Sequence, residues 1–152
     1  MTPLKHTAVI DCPLHQAYAL AEQVERYPEF LPGYSESRFI EQHPDGRRLL
    51  ARKATVRGVS HAWRSWVRFE KDQWIDFEHA AGPLQGMKVR WLFTSLAPQK
   101  TRLTIRHDVR VARRGITGWF LEKFFFAPRV SGIAGEVIEA FKKACENGGE
   151  KS

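Results

Sequence analysis

Cysteine is scarce in this chain of 152 residues, which contains only Cys12 and Cys145. The two residues lie near opposite ends of the sequence, and no CxxC pair or Cys/His group has the spacing of a metal site. We therefore expect two free thiols, a reducing cytoplasmic compartment, and neither a metal nor another cofactor.

Long hydrophobic runs are also missing. No stretch approaches the roughly 18 uninterrupted apolar residues of a membrane-spanning helix. The first residues lack the basic segment followed by an apolar one that marks a secretory signal. With 43% hydrophobic and 27% charged residues, the composition is that of a globular protein. The length predicts a single ligand-binding domain over 1–147, followed by a disordered tail over 148–152.

The common sequence motifs of enzymes are absent as well. The chain has no GxSxG, no P-loop, no HExxH and no GxGxxG after a strand. These absences exclude the commonest hydrolases, nucleotide-binding enzymes and zinc proteases that carry such motifs.

Positive charge is in excess, with 24 Lys and Arg against 17 Asp and Glu, a formal net charge of +7. Such an excess favours anionic partners such as phospholipid headgroups, RNA or the ribosome. A solvated basic surface with no partner explains it equally well.

The periodicity of apolar residues divides the chain into a helical pair enclosed by strands and a long terminal helix. Asp11-Cys12-Pro13 is a typical helix start, whereas Pro28 and Pro32 are expected to break the helix that follows. The predicted elements are a strand at 6–10, a helix at 14–24, a helical turn and loop at 26–34, six strands at 35–41, 47–56, 59–69, 74–79, 87–96 and 101–111, and a helical region at 115–147 that Pro128 interrupts.

Alternation within the strands predicts a sheet with one apolar face and one basic face. In the last strand, Leu103, Ile105 and His107 point one way while Arg102 and Arg106 point the other. Short turns between consecutive strands predict an antiparallel meander. The fold class is therefore α+β, with a curved sheet of about seven strands wrapped around the terminal helix.

Three histidines share the inward parity: His61, His79 and His107. Counting from the predicted turns pairs His107 near Trp91 and His79 near Met87. This separates the two histidines by roughly 10 Å across the sheet and roughly 13 Å along it. Metal ligands must lie within about 2.1 Å of one point, so we expect no metal site. A histidine that hydrogen-bonds a ligand carbonyl and a buried histidine satisfied by backbone or water both remain open.

Three segments carry a likeness to a known family: VERYPEFLP (Val24 to Pro32), GPLQGMKVRWLF (Gly82 to Phe93) and AFKKA (Ala140 to Ala144). With the element order, they resemble the START-like (SRPBCC, helix-grip) superfamily, nearest its coenzyme Q-binding and polyketide cyclase/dehydrase branch. One departure is Gly33-Tyr34, where the coenzyme Q-type pattern usually has Trp-Cys.

The resemblance implies an apolar cavity between the sheet and the terminal helix, holding a lipid or quinone-like ligand. An ordinary packed core is the alternative, because both are lined by apolar residues. The predicted ligand-binding residues are Tyr27, Phe30, Leu31, Tyr34, Trp63, Phe77, Val89, Trp91, Phe93, Ile105, His107, Ile133 and Val137.

An aromatic cluster lies among the cations of the segment before the terminal helix. Aromatic rings with flanking cations suit a membrane interface. A lid over the cavity, a dimer contact and plain core are the alternatives. The aromatic residues are Trp119, Phe120, Phe124, Phe125 and Phe126, and the cations are Arg113, Arg114, Lys123 and Arg129.

The basic sheet face is expected to carry cations interleaved with tryptophans, a composition that suits nucleic acid. Acidic residues on the same face favour a salt-bridged surface instead. The cations placed on this face are Arg52, Arg64, Arg68, Lys88, Arg90, Arg102, Arg106 and Arg110.

These observations favour a carrier or chaperone that binds a hydrophobic small molecule, either quinone-like or another isoprenoid lipid. It would be cytoplasmic or peripheral to the inner face of an anionic membrane. The alternatives are a polyketide-type cyclase or dehydratase that uses His61, His79, His107 or Tyr34, and a basic module that contacts the ribosome or RNA. The oligomeric state is left open, and we assign no catalytic residue.

Overall fold

The computed structural model describes residues 4–56, 58–81, 85–108 and 127–148. Its elements, in chain order, are β1 (Leu4–Ile10), α1 (Leu14–Ala21), a 3-10 turn (Val24–Arg26), α2 (Tyr27–Phe30), β2 (Tyr34–Gln42), β3 (Arg48–Val56), β4 (Val59–Glu70), β5 (Trp74–Ala81), β6 (Lys88–Ala97), β7 (Lys100–Asp108) and α3 (Ala127–Asn147).

The seven strands form one antiparallel sheet in the order β1-β7-β6-β5-β4-β3-β2. All six strands predicted after the helical pair are present, and the alternation in β7 is confirmed because Leu103 and Ile105 are buried while Arg102 and Arg106 are exposed. The predicted α+β helix-grip architecture is therefore confirmed.

The terminal helix packs against the apolar sheet face through residues spaced three and four apart. Phe141 has no exposed surface, and its ring centre lies 5.2 Å from that of Trp91 and 6.5 Å from that of Phe93. Spacing of this kind produces a continuous apolar stripe on one side of a helix. The buried residues of the stripe are Val130, Ala134, Val137, Ile138, Phe141 and Cys145.

Pro128 is the second residue of α3, and the interruption predicted there stays a prediction because residues 109–126 lie outside the described ones. The helix before Pro28 already ends at Ala21, so Pro28 is not what breaks it. Pro28 lies instead in the first turn of α2, within the helical turn predicted over 26–34. A proline at this position costs no helical hydrogen bond, because the first N–H groups of a helix have no intrahelical acceptor. The predicted helical segment 115–126, the end of the last strand at 109–111, and residues 149–152 of the predicted tail lie outside the described residues.

Gly33 fixes the backbone conformation of the connection between α2 and β2. Its φ of +82° lies in the left-handed region, and a Cβ built there would lie 2.6 Å from the carbonyl oxygen of Thr55 on β3. The Gly33 carbonyl accepts a hydrogen bond of 2.8 Å from the Thr55 N–H. Only glycine satisfies both conditions without strain, and the contact sets the position of Tyr34 next to β3.

Candidate functional site

Along the inner face of β4, alternate side chains change from exposed at the start of the strand to fully buried further along it. Val59 is 57% exposed, Trp63 is partly buried, and Ser65 and Val67 have no exposed surface. His61 keeps the predicted inward parity but is exposed, because it lies on the outer part of the β3–β4 hairpin. The polar residues of interest lie where the alternate side chains of β4 become buried.

Arg52 lies on the inner face, so its assignment to the basic outer face was wrong. Its exposed fraction is only 7%, and it pairs with Trp63 across the β3–β4 hairpin. The register follows from the tight turn that pairs Val56 with Val59, and residues directly opposite each other point to the same side of a sheet. Leu50 and Ala54, two positions away on either side, are buried as well.

Aromatic rings surround the guanidinium of Arg52. Its central carbon lies 4.9 Å from the ring centre of Phe77, 5.0 Å from Tyr34, 5.5 Å from Trp63 and 5.6 Å from Tyr27. One terminal N–H group donates a hydrogen bond of 3.2 Å to the hydroxyl of Tyr34. Attraction between a cation and aromatic faces stabilises such a charge by about 0.5–2 kcal/mol at each favourable ring.

His79 completes this group by stacking on Trp63, with ring centres 5.9 Å apart and an interplanar angle of 20°. Burial, followed by the positive charges of Arg52 and His107, lowers the pKa of His79 to about 3. The imidazole is therefore neutral at pH 7, while the guanidinium stays charged. We call Arg52, Tyr34, Trp63, Phe77 and His79 the Arg52 cluster.

Several buried polar atoms in and beside the Arg52 cluster have no hydrogen-bond partner among the described residues. They include Nε of Arg52, Nε1 of Trp63 and the hydroxyl of Ser65. Leaving a buried donor unsatisfied costs about 1–3 kcal/mol, so such groups are rare unless they serve a ligand or bound water. Ser65 also lies at a register shift between β4 and β5, which interrupts regular pairing there.

A second polar group lies where β1 and β7 meet the start of α3. The hydroxyl of Ser131 lies 3.3 Å from Nε2 of His6. Burial, followed by the charge of His6, lowers the pKa of His107 to about 4. His107 pairs with Val89 rather than with Trp91, and His79 lies opposite Met87. The two histidines are therefore offset by two residues along the sheet, a smaller distance than the sequence count predicted.

The deeper part of the interface between sheet and helix is packed with aromatic rings. Trp91 stacks on Tyr27 with ring centres 5.6 Å apart, and Phe93 contacts Tyr18 edge-on at 5.5 Å. The hydroxyl of Tyr27 donates a 2.6 Å hydrogen bond to the Ala21 carbonyl. The helical pair, the sheet and α3 therefore meet in a close-packed region at this end.

The predicted ligand-binding residues divide by their exposure. Tyr27, Leu31, Phe77, Val89, Trp91, Phe93, Ile105 and Val137 are buried, whereas Phe30, Tyr34, Trp63, His107 and Ile133 are partly buried. The predicted mouth residues Trp119, Phe120 and Phe124 lie outside the described residues. A cavity lined by this set stays a prediction.

The outer face of the sheet carries both positively and negatively charged side chains. Arg90 forms a two-pronged ion pair with Asp76, with both N–O distances 2.6 Å, and its guanidinium lies over Trp74. Lys88 pairs with Glu78 at 3.8 Å, and Arg68 with Asp45 at 3.5 Å. A depression of about 480 Å³ on this face is lined mainly by charged residues. A second one, of about 300 Å³ beside Arg64, is lined by residues of this face and also reaches Arg52 and Trp63.

Membrane-spanning helices and metal clusters are both missing from the described part of the chain. No helix within it is both long enough and apolar enough to cross a membrane. No three His, Cys, Asp or Glu side chains within it are grouped as a metal site requires.

A curved antiparallel sheet that holds a C-terminal helix, with a short helical pair after the first strand, is the helix-grip fold of START-like proteins. The profile of the family described as "Polyketide cyclase / dehydrase and lipid transport" matches residues 10–134, so the chain belongs to this family. The predicted START-like resemblance is confirmed. The family description joins cyclase or dehydratase chemistry with lipid transport, and both act on hydrophobic small molecules.

Individual relatives carry different names. The "Ribosome association toxin RatA" of Escherichia coli K12 is 26% identical over 141 residues, which are 93% of this chain and 85% of the relative. The "Granaticin polyketide synthase bifunctional cyclase/dehydratase" of Streptomyces violaceoruber is 30% identical over 111 residues, which are 71% of this chain and 34% of that protein. A solved START superfamily protein from Mycobacterium smegmatis has a TM-score of 0.72 at 20% identity, with 99% of each chain covered, and supports the fold alone.

Sequence reasoning missed Arg52 and Ser65 as members of the site. For Arg52 a signal was present, because a tight turn at Gly58 that pairs Val56 with Val59 sets Arg52 opposite Trp63. The charge of Arg52 had instead suggested the outer face. For Ser65 the parity with Trp63 and Val67 was available, but a small polar residue between two apolar ones gave no reason to assign it a function.

Proposed function

We propose that this protein is a carrier or chaperone that binds a hydrophobic small molecule between the sheet and α3, with a quinone-like ring or another isoprenoid lipid as the ligand. The observation that carries the proposal is the inner face of β4, where the Arg52 cluster and unsatisfied polar atoms lie between the exposed end of the hairpin and the packed core. An ordinary core has no reason to place unsatisfied donors at this position.

The aromatic walls of the Arg52 cluster suit a flat ring. Tyr34 and Trp63 lie edge-on to each other at 6.0 Å, and both residues are partly exposed. Aromatic pairs contribute about 0.5–1.5 kcal/mol beyond the area that they bury. An apolar tail would add about 0.8 kcal/mol for each CH₂ group buried.

The histidines favour binding over acid–base catalysis. A general acid or base works best with a pKa near the operating pH, whereas His79 and His107 have pKa values of about 3 and about 4. Both are neutral imidazoles at pH 7 and are weak bases, suited to hydrogen-bonding a ligand. His61 is exposed. The polyketide cyclase or dehydratase alternative draws its support from the family and from the granaticin relative.

The test is organic extraction of the purified protein, followed by mass spectrometry and by titration with 2,3-dimethyl-1,4-naphthoquinone, whose ring has no free carbon for a thiol to attack. Wild type is expected to release a hydrophobic molecule or to bind the quinone. Trp63→Ala should weaken binding by roughly tenfold, since it removes one wall of the cluster. The matched control is Trp66→Ala on the outer face, which should bind as wild type does.

Two outcomes would contradict the proposal. One is a wild-type protein that releases no hydrophobic molecule and binds no quinone. The other is equal weakening by Trp63→Ala and Trp66→Ala, which would place any binding away from the inner face.

The sequence cluster of Trp119, Phe120 and Phe124 supports a peripheral contact with an anionic membrane on the cytoplasmic side, from which a lipid could be taken up. Cations near such a surface contribute about 1 kcal/mol each. We expect binding to vesicles that contain anionic lipid, weakened by high salt and by the double substitution of Trp119→Ala and Phe120→Ala. Equal sedimentation with neutral and anionic vesicles would contradict this contact.

A second candidate function, contact with the ribosome, is favoured by the relative named "Ribosome association toxin RatA", which matches 93% of this chain. The outer face offers Arg64, Arg102 and Arg106, which form no ion pair with a described residue. Co-sedimentation with purified ribosomes, compared between wild type and a variant with Arg102→Glu and Arg106→Glu, tests it. Loss of co-sedimentation in the variant would support the contact, and absence of wild type from the ribosomal fraction would contradict it.

A further inference from the structure

Arg52 is a buried cation without a counter-charge in the part of the chain that the structure describes. Only 7% of its surface is exposed, and no described carboxylate lies within 4.0 Å of its guanidinium. The imidazole of His79 in the same cluster is neutral at pH 7 because of its lowered pKa. The inner face of the sheet therefore holds one uncompensated positive charge.

The surrounding rings offset only part of the cost of burying this charge. Four aromatic rings lie within 5.6 Å of the guanidinium carbon and attract it through their faces. The Nε–H still has no acceptor, and neither has the indole N–H of Trp63 on the facing strand. Burying a charge is costly unless it is both paired and hydrogen-bonded, so the cluster lacks an anionic acceptor.

The donors that remain define the group that would fit. Arg52 Nε and Trp63 Nε1 each present one N–H. Tyr34 accepts a hydrogen bond from Arg52 and still has its own hydroxyl proton to donate. All three groups can donate a hydrogen bond, so the ligand must supply an acceptor and needs no donor. Hydrogen bonds from a charged donor to a charged oxygen are about twice as strong as neutral ones.

We infer that the ligand carries an acidic oxygen, a carboxylate or an ionised ring hydroxyl, directly on its flat ring, and that this oxygen binds Arg52 with the Tyr34 hydroxyl and the Trp63 indole N–H beside it. The inference rests on the proposed function and narrows it to one class of hydrophobic molecule. The ring stacks between the aromatic side chains of the Arg52 cluster, and its apolar remainder extends toward α3. A neutral quinone would leave the charge of Arg52 uncompensated and would bind more weakly than its acidic counterpart.

The test compares two probes of nearly the same shape, 2-naphthoate and 2-naphthamide, by isothermal titration calorimetry at neutral pH. Wild type is expected to bind the carboxylate roughly tenfold or more tightly than the amide, because only the carboxylate is charged. Arg52→Met keeps the length and the apolar character of the side chain without its charge. It should abolish the preference while still binding the amide.

Two further variants sharpen the comparison. Arg52→Lys keeps the charge and should retain part of the preference. Arg64→Met removes a cation from the outer face of the neighbouring strand and should behave as wild type. Since the preference is measured first in wild type, the test does not depend on the folding of any variant.

The outcomes separate the inference from the proposed function. Amide and carboxylate bound equally by wild type would contradict the acidic oxygen but would leave a hydrophobic binding site. A preference that survives in Arg52→Met, or that disappears in Arg64→Met, would contradict the role of Arg52. Binding of neither probe would contradict the proposed function itself.

Discussion

Arg52 and Trp63 face each other across the β3–β4 pair, and each has a buried N–H group that meets no acceptor in the described part of the molecule. Cross-strand neighbours on a buried face normally satisfy each other by packing or hydrogen bonding. Here both are donors, so neither can satisfy the other. This relationship turns a stretch of sheet that would otherwise be core into a candidate site for an acceptor.

A residue kept for ligand binding rather than for folding should be dispensable for stability. We expect Arg52→Met to raise the free energy of unfolding by about 1 kcal/mol, or the melting temperature by about 2–4 °C, because the cost of burying the charge disappears. Thermal unfolding followed by circular dichroism measures this. A loss of more than about 2 kcal/mol would mean that the cation–aromatic contacts hold the sheet together, and would weaken the functional interpretation.

Gly33 should tolerate no side chain. Gly33→Ala is expected to lower the free energy of unfolding by about 3 kcal/mol, because it combines a strained positive φ with a clash of its Cβ against the Thr55 carbonyl. Gly46→Ala is the matched control, since Gly46 has a φ of +96° but no atom within 4 Å of the position that a Cβ would take. Its loss should be only about 1–2 kcal/mol. Equal losses in urea unfolding would show that the contact with Thr55 is unimportant.

The buried histidines should make the fold sensitive to mild acid. Folding lowers the pKa of His79 from 6.5 to about 3 and that of His107 to about 4. Below about pH 6.5, therefore, these histidines bind protons in the unfolded chain but stay neutral in the folded chain. Their contribution to stability is complete above that pH and is lost as the pH falls toward 4, with an upper bound of about 1.4 kcal/mol per pH unit for each histidine.

Urea unfolding of wild type and of His79→Gln with His107→Gln, at about pH 7, 6 and 5, measures this effect. The double variant should lose less stability between neutral and acid pH than wild type does. Parallel pH profiles would mean that burial, with the nearby positive charges, does not hold the two imidazoles neutral.

Much of the fold could be predicted because its physical cause is local. The alternation in β7 and the run of consecutive antiparallel strands each depend on neighbouring residues, and both predictions are confirmed. The role of Pro28 was misjudged because the first turn of a helix and a helix break both accept proline, and only the packing of Tyr27 against the sheet decides between them.

The site was harder to predict because it depends on register between distant residues. Composition assigned Arg52 to solvent, whereas pairing with Trp63 places it inside. Apolar side chains such as Trp91 and Trp63 look alike in the sequence. Only the structure separates Trp91, packed against Phe141, from Trp63, which lies beside unsatisfied polar atoms.

The most direct test of a ligand site on the inner sheet face is a titration with 2-naphthoate followed by ¹H–¹⁵N NMR. The measured quantities are the chemical shifts of the tryptophan indole N–H signals. Trp63→Phe assigns the Trp63 signal, and Trp66 and Trp74 serve as internal controls because both contact arginines of the outer face. We predict a saturable shift of the Trp63 indole signal with Trp66 and Trp74 unchanged. A Trp63 signal that does not move, or shifts confined to Trp66 and Trp74, would contradict the account.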